Sequence, residues 1–305
     1  MKGGGRVAND LYKKCRLCAR QCGVDRTVDL GYCRVPDSLC VARAALHHWE
    51  EPSISGTRGS GAIFFSGCSL SCIFCQNREI SRAAGTLFIS VERLADIMLE
   101  LQGKGAHNIN LVTPTHYAPS IREAIILARK NGLVLPIVYN TGGYDTVETL
   151  RTLDGIVDIY MPDMKYYRSD TARKYSAAHD YPTVAMEAID EMVRQRGAAV
   201  IDTDGIMRSG VIVRVLLLPS HLAEAKLTVK KLYDKYGDGI YISLMSQYTP
   251  MPDMPHPLDR CVTAGEYREL VEYAERIGVT YGYVQEGGSA DESFIPPFDN
   301  TGVLP

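Results

Sequence analysis

From residue 62 onward the sequence beats between two patterns, and that rhythm allows few architectures. Short apolar runs read as strands: AIFFSG (62–67), NINLVT (108–113), LVLPIVYN (133–140), IVDIYM (156–161), GVIVRVLLL (210–218), GIYISLM (239–245) and VTYGYV (279–284). Stretches with helical spacing lie between them. Ser90 is a candidate N-cap for the first; Asp145 with Glu148, and Thr263 with Glu266, have capping-box spacing. Residues 169–196 are expected to be helical in two pieces. A strand followed by a crossover helix pairs in parallel with the next strand, and near-continuous apolar strands are covered on both faces. Six such units and one trailing strand fall short of a closed eightfold barrel. The expected fold class is therefore α/β, an open partial (β/α)6 barrel, with a doubly wound sheet as the alternative. In either, chemistry belongs at the carboxyl ends of the strands.

Three regions follow: a cysteine-rich segment at 1–55 with little periodicity, the barrel at 56–285 opened by the turn-rich EPSISGTRGSG, and an irregular tail at 286–305 read as a surface segment. Net charge is −3 without a lysine or arginine cluster, which argues against nucleic acid as a partner. The run VIVRVLLLP is too short to span a bilayer and MKGGGRVANDLYKKC lacks the apolar core of a signal peptide, so a cytoplasmic location is expected.

The nine cysteines are grouped, and their odd number does not suit a fully paired disulfide framework. Cys68, Cys72 and Cys75 follow the first strand directly, in GCSLSCIFCQN. Three thiolates on one tight loop can hold three irons of a 4Fe–4S cluster, and the next cysteine in the chain is Cys261. The fourth iron would then be open to a ligand from outside the protein, whereas a zinc knuckle wants a fourth Cys or His close by. Cys15, Cys18, Cys22 and Cys33 form a second set, with Cys40 as a substitute ligand. Tetrahedral sulfur suits either a structural zinc or an auxiliary iron–sulfur cluster.

The run Cys68-Ser-Leu-Ser-Cys72-Ile-Phe74-Cys75 resembles the CxxxCxΦC motif of radical S-adenosylmethionine (SAM) enzymes. That resemblance implies SAM bound at the open iron, its reductive cleavage to a 5′-deoxyadenosyl radical, and a low-potential donor of the flavodoxin or ferredoxin type. It also implies that Phe74 packs by the adenine. Over about residues 60–285 the chain looks similar to pyruvate formate-lyase activating enzyme and its relatives, and IYMPDMKY (159–166) resembles a signature of that activase. On that likeness Lys165 binds the SAM carboxylate and Arg214 lies near SAM. Asp163, the backbone of Met161, Asn140 and Thr141 would surround a monovalent cation. Two places depart from the activase: TPTHY (113–117) offers Thr113, Thr115 and His116 to the SAM ammonium, and SQYTP (246–250) offers Gln247 and Tyr248 near the ribose. The implied reaction is activation of a glycyl radical enzyme. The alternatives are radical modification of a small molecule or another peptide and, from a different class, a non-catalytic iron–sulfur electron carrier.

The remaining candidates read as packing. Cys261 is expected to be a small, partly buried residue, His47 and His48 a polar surface pair, and GTRGSG (56–61) a turn, since it lacks the lysine of a phosphate loop.

Overall fold

The computed structural model describes residues 10–82, 87–285 and 295–305. Its strands are β1 (Leu39–His47), β2 (Ser60–Phe65), β3 (Leu87–Ile89), β4 (Ile109–Val112), β5 (Ile137–Thr141), β6 (Ile159–Pro162), β7 (Val200–Ile201), β8 (Met207–Leu216), β9 (Tyr241–Met245) and β10 (Gly282–Val284). They form one sheet in the order β10-β9-β8-β6-β5-β4-β2-β1-β3, with β7 beside β8. Every pair from β2 through β10 along this path is parallel. The two ends of the path are not hydrogen-bonded to each other, so the sheet is an open partial barrel, as the strand count implied.

Alternation along the strands decides what faces where. Tyr139, Tyr160, Val211, Val213 and Val215 point outward into the main core, where the helices cover them. Helix α3 (Val91–Gly103) shows why these helices bind: Leu94, Ala95, Ile97, Met98 and Leu101 recur at helical spacing on its buried face. Burying a side chain such as Leu94 contributes roughly 1.5–3 kcal/mol. The expected caps at both ends of the series hold. Ser90 accepts from the Arg93 amide, and Thr263 and Glu266 form a reciprocal capping box. The long helical stretch is split into α6 (Ser169–Ser176) and α7 (Tyr181–Arg196).

The other faces of the same strands point inward. Val138, Ile159, Met161, Met207 and Ile212 close one end of the barrel around Ile54, which lies on the short helix α1 (Pro52–Ser55). His47, the last residue of β1, is level with Ser60, the first of β2. Helix α1 therefore plugs the amino-terminal end of the parallel strands, and the Asn108 amide group donates to the Ile54 carbonyl to hold it there (2.7 Å).

Three local expectations are corrected. Leu39–His47, overlapping the apolar stretch VARAALHHW (41–49) of the cysteine-rich segment, is a strand paired antiparallel to β2, which adds an antiparallel edge to the barrel. Asp145 does not cap the helix after β5: Thr146 does so, accepting from the Thr149 amide. Asp145 instead is buried and accepts from the hydroxyls of Tyr139 (2.9 Å) and Thr141 (2.6 Å). The first part of the surface tail, residues 286–294, lies outside the described residues, but its end packs firmly. The Asn300 amide donates to Ala42, the Thr301 carbonyl accepts from Ala44, and Val303 is fully buried. No helix among the described residues is long and apolar enough to cross a membrane.

Candidate functional site

The loop after β2 carries the three cysteines at the carboxyl end of the sheet, where the fold places chemistry. It turns sharply at Gly67 (φ +83°), where a Cβ would stand 2.8 Å from the Cys33 carbonyl oxygen and 2.9 Å from Val35, so the turn needs glycine. Backbone bonds then pin it: the Ile73 amide donates to Tyr175 (2.9 Å) and the Ser71 amide to Ser176 (3.4 Å). The Arg20 guanidinium, stacked 4.0 Å over the Tyr32 ring, donates to the carbonyls of Ser69 (2.8 Å) and Ala177 (2.6 Å). Residues far apart in sequence thus hold the loop in place.

Cys68, Cys72 and Cys75 border two spaces. One is a cavity of about 50 Å³ shared with Tyr32, Arg34 and Ser81. The other is the barrel lumen, about 500 Å³. Burial, and then the neighbouring thiols, pushes the Cys68 and Cys75 thiols up, so a bound cation is needed to hold them as thiolates. Among the described residues no set of three or more His, Cys, Asp or Glu side chains is arranged for a lone metal ion. A cluster's corners stand farther apart than donors on one ion, where zinc–sulfur bonds are only about 2.3 Å. Three soft thiols on one loop, with no fourth cysteine lining either cavity, fit a cluster with one corner free.

Phe74 and Tyr248, edge-on at 6.1 Å, form an aromatic wall of the lumen, and Tyr166 packs behind Phe74 at 6.5 Å. Lys165 Nζ lies 2.7 Å from Asp163 Oδ2, and Arg214 Nε lies 3.3 Å from Asp163 Oδ1. Burial alone would push Asp163 up, but Lys165 and Arg214 outweigh it and hold the carboxyl below its usual range. Arg214 also reaches Glu50 Oε2 (3.2 Å) and Asn140 Oδ1. The structure therefore brings Phe74, Thr113, Asn140, Thr141, Asp163, Lys165, Arg214, Gln247 and Tyr248 together with the three cysteines around one space.

Several of these groups are already engaged. Thr141 donates to Asp145, the Tyr248 hydroxyl donates to the Leu258 carbonyl (2.6 Å), and Gln247 accepts from Gln285 (2.9 Å). Thr115 and His116 do not line the lumen. Thr115 is buried 3.1 Å from the Thr141 hydroxyl, and His116 Nε2 donates to the Ser66 carbonyl (2.8 Å).

Burial, then Arg26, lowers the His116 pKa to about 3, so the folded protein holds a neutral imidazole. The unfolded chain binds this proton near pH 6.5, so stability contributed by His116 is intact above that pH and is lost as pH falls toward 3. The expected slope in that window is up to about 1.4 kcal/mol per pH unit. Urea unfolding of wild type and His116→Gln between pH 7 and 5 checks it: the variant's stability should vary less steeply.

Other placements differ from the sequence reading. His47 and His48 both line the lumen, with the His47 ring edge-on to Phe64 at 6.0 Å, because the strand ending at His47 carries them to the plugged end. Cys261 is exposed rather than partly buried. Cys15, Cys18 and Cys33 are buried while Cys22 is exposed. The residues that sequence reasoning missed are Glu50, Glu51, Asn110 and Ser243. Asn110 donates to Glu50 Oε1 (2.8 Å), and Ser243 lines the lumen from β9. A polar residue inside an apolar strand was the available signal for Asn110 and Ser243.

Comparison with known proteins agrees with this geometry. The model of the radical SAM superfamily matches residues 62–206. An uncharacterised protein of Methanocaldococcus jannaschii is 27% identical over 292 residues, covering 91% of this chain and 79% of that protein. The solved structure of HydG, a maturase of the [FeFe]-hydrogenase, superposes with a TM-score of 0.51 at 19% identity, covering 75% of this chain. This chain spans about half of that maturase, 52%. Methylornithine synthase (PylB) superposes with a TM-score of 0.50 at 16% identity, over 88% of this chain and 69% of that one. At such identities the two structures speak for the fold.

Proposed function

We propose, on the premise that this chain belongs to the radical SAM superfamily through the domain at residues 62–206, that it is an enzyme acting on a group that enters the barrel lumen. The observation that carries this reading is one continuous cavity lined by Cys68, Cys72 and Cys75 near its mouth and by Lys165, Arg214 and Glu50 deeper in. When bound, the cluster and SAM supply reductive homolysis to a 5′-deoxyadenosyl radical, with the electron drawn from a flavodoxin- or ferredoxin-type donor.

The chain's own residues divide the remaining work. Cys68, Cys72 and Cys75 hold the cluster. Lys165, half-buried and kept protonated by Asp163, presents an ammonium to the SAM carboxylate. Phe74 and Tyr248, backed by Tyr166, make an apolar wall that excludes water and suits the adenine. Asp163, Thr141 and Asn140 form a polar corner for a monovalent cation, although Arg214 already occupies Asn140. The lumen's size suits a small molecule or a single peptide side chain. Activation of a glycyl radical enzyme is the second reading, carried by IYMPDMKY, which supplies Asp163 and Lys165.

A second metal at Cys15, Cys18, Cys22 and Cys33 belongs to the same proposal. What supports it is proximity: Gly67, adjacent to Cys68, packs against the Cys33 carbonyl, and Tyr32 and Arg34 flank Cys33 at the cavity behind the cysteine loop. The four thiols, all among the described residues, are not arranged for a lone ion, so a cluster there would relay an electron or staple the segment.

The test is anaerobic reconstitution with iron and sulfide, followed by dithionite and SAM, with 5′-deoxyadenosine measured by chromatography. Product is expected, and none from a loaded cluster would favour the electron carrier. Lys165→Ala should raise the KM for SAM at least tenfold, since a charge-assisted hydrogen bond is worth about 1.5–3 kcal/mol. Its iron content should stay at the wild-type level.

A further inference from the structure

The plugged end of the lumen carries a carboxylate with one oxygen for which the protein supplies no hydrogen-bond partner. Glu51 immediately precedes helix α1, is 8% exposed and lines the cavity. Its Oε2 is buried without a hydrogen-bond partner. The neighbouring Glu50 is different: it accepts from Asn110 (2.8 Å) and Asn140 (3.4 Å) and pairs with Arg214 (3.2 Å). Arg214 is shared among Glu50, Asp163 and Asn140, and Lys165 is held by Asp163.

The balance of charge points the same way. The carboxylates lining the lumen, Glu50, Glu51 and Asp163, outnumber its lysine and arginine, Lys165 and Arg214. His47 adds no compensating charge near neutrality, because burial lowers its pKa to about 4. A buried carboxylate oxygen without a hydrogen bond is costly, and a carboxylate or phosphate substrate at this end would make it worse. An incoming cation offsets that cost. Ser243 and Tyr283, which also line this end, add a hydroxyl and an aromatic ring around it.

We propose that Glu51 docks a positively charged amine or guanidinium of the substrate at the plugged end of the lumen, so that the remainder of the molecule extends toward the cysteine loop. This assignment deepens the proposed function and rests on the lumen being the substrate chamber. Burial pushes the Glu51 carboxyl up against the pull of Arg214, and an ammonium beside it would favour the charged form.

The chain's single tryptophan, Trp49, lines the same cavity and reports on its contents. Its fluorescence is followed while reconstituted protein is titrated at constant ionic strength with n-pentylammonium, guanidinium, 1-pentanol or potassium chloride. Saturable binding of n-pentylammonium is expected, at least tenfold tighter than 1-pentanol, with no saturation by potassium. In Glu51→Gln, of the same shape, the ammonium Kd should rise at least tenfold while Glu51→Asp stays nearer wild type. Equal binding of alcohol and ammonium by wild type would overturn the proposal, and that arm needs no variant to fold. So would saturation by potassium, or unchanged ammonium binding in Glu51→Gln. The titration uses neither SAM nor reductant, so its outcome is independent of whether the protein cleaves SAM.

Discussion

Replacing Cys72 with alanine is expected to abolish 5′-deoxyadenosine formation, a loss of at least about a thousandfold, and to remove the iron that the proposed function assigns to the loop after β2. The geometry leaves no substitute ligand. Among the described residues, the cysteines lining either adjoining cavity are Cys68, Cys72 and Cys75 alone. With two thiolates the cluster is held at only two corners. Cys72 Sγ stands 2.9 Å from the Ser176 hydroxyl, which also meets the Tyr166 hydroxyl (2.6 Å). Serine at 72 would keep that polar contact, yet an alcohol is a poor ligand for iron in this setting, so Cys72→Ser should be as inactive as Cys72→Ala. Iron and sulfide analysis beside the deoxyadenosine assay checks both. Turnover retained in either variant would remove the cluster from this loop.

Arg26→Met should destabilise the protein by about 3–5 kcal/mol, the cost of stranding groups that a buried cation had satisfied. Arg26 is fully buried, and its guanidinium donates to the carbonyls of Val35, Pro36 and His116. Its carbon centre sits 4.9 Å from the Tyr12 ring and 5.3 Å from the Tyr117 ring. One side chain thus ties the cysteine-rich segment to the turn after β4. Its Nη1 also donates to Cys15 Sγ (3.9 Å), so its hydrogen bonds go to three neutral carbonyls and one sulfur. Lysine cannot spread donors over three carbonyls, so Arg26→Lys should recover little. Chemical denaturation gives the stability change, and metal analysis of the same samples shows whether the N-terminal thiols lose an ion with it.

Much of the barrel could be read from local pattern. Apolar runs and glycine-stopped helices marked the parallel strands, and the caps at Ser90 and Thr263 formed where their spacing indicated. The Cys68–Cys75 loop and Lys165 were legible because each lies in one short contiguous motif. Glu51 was not, because EPSISG reads as a turn and its role exists only once β1 carries it to the barrel's end. Arg26 and Arg20 look like ordinary surface arginines in sequence, and their carbonyl partners are set by tertiary packing. Asp145 misled for a related reason: capping-box spacing competes with burial, and the hydroxyls of Tyr139 and Thr141 won.

Mössbauer spectroscopy of ⁵⁷Fe-reconstituted protein, recorded without and then with SAM, asks whether one iron of the cluster lacks a protein ligand. If Cys68, Cys72 and Cys75 are its whole protein ligand set, SAM shifts the signal of one iron in four and leaves the others in place. A spectrum unmoved by saturating SAM, with every iron already in a four-sulfur environment, would show that the cluster is closed and that the lumen is not a radical chamber.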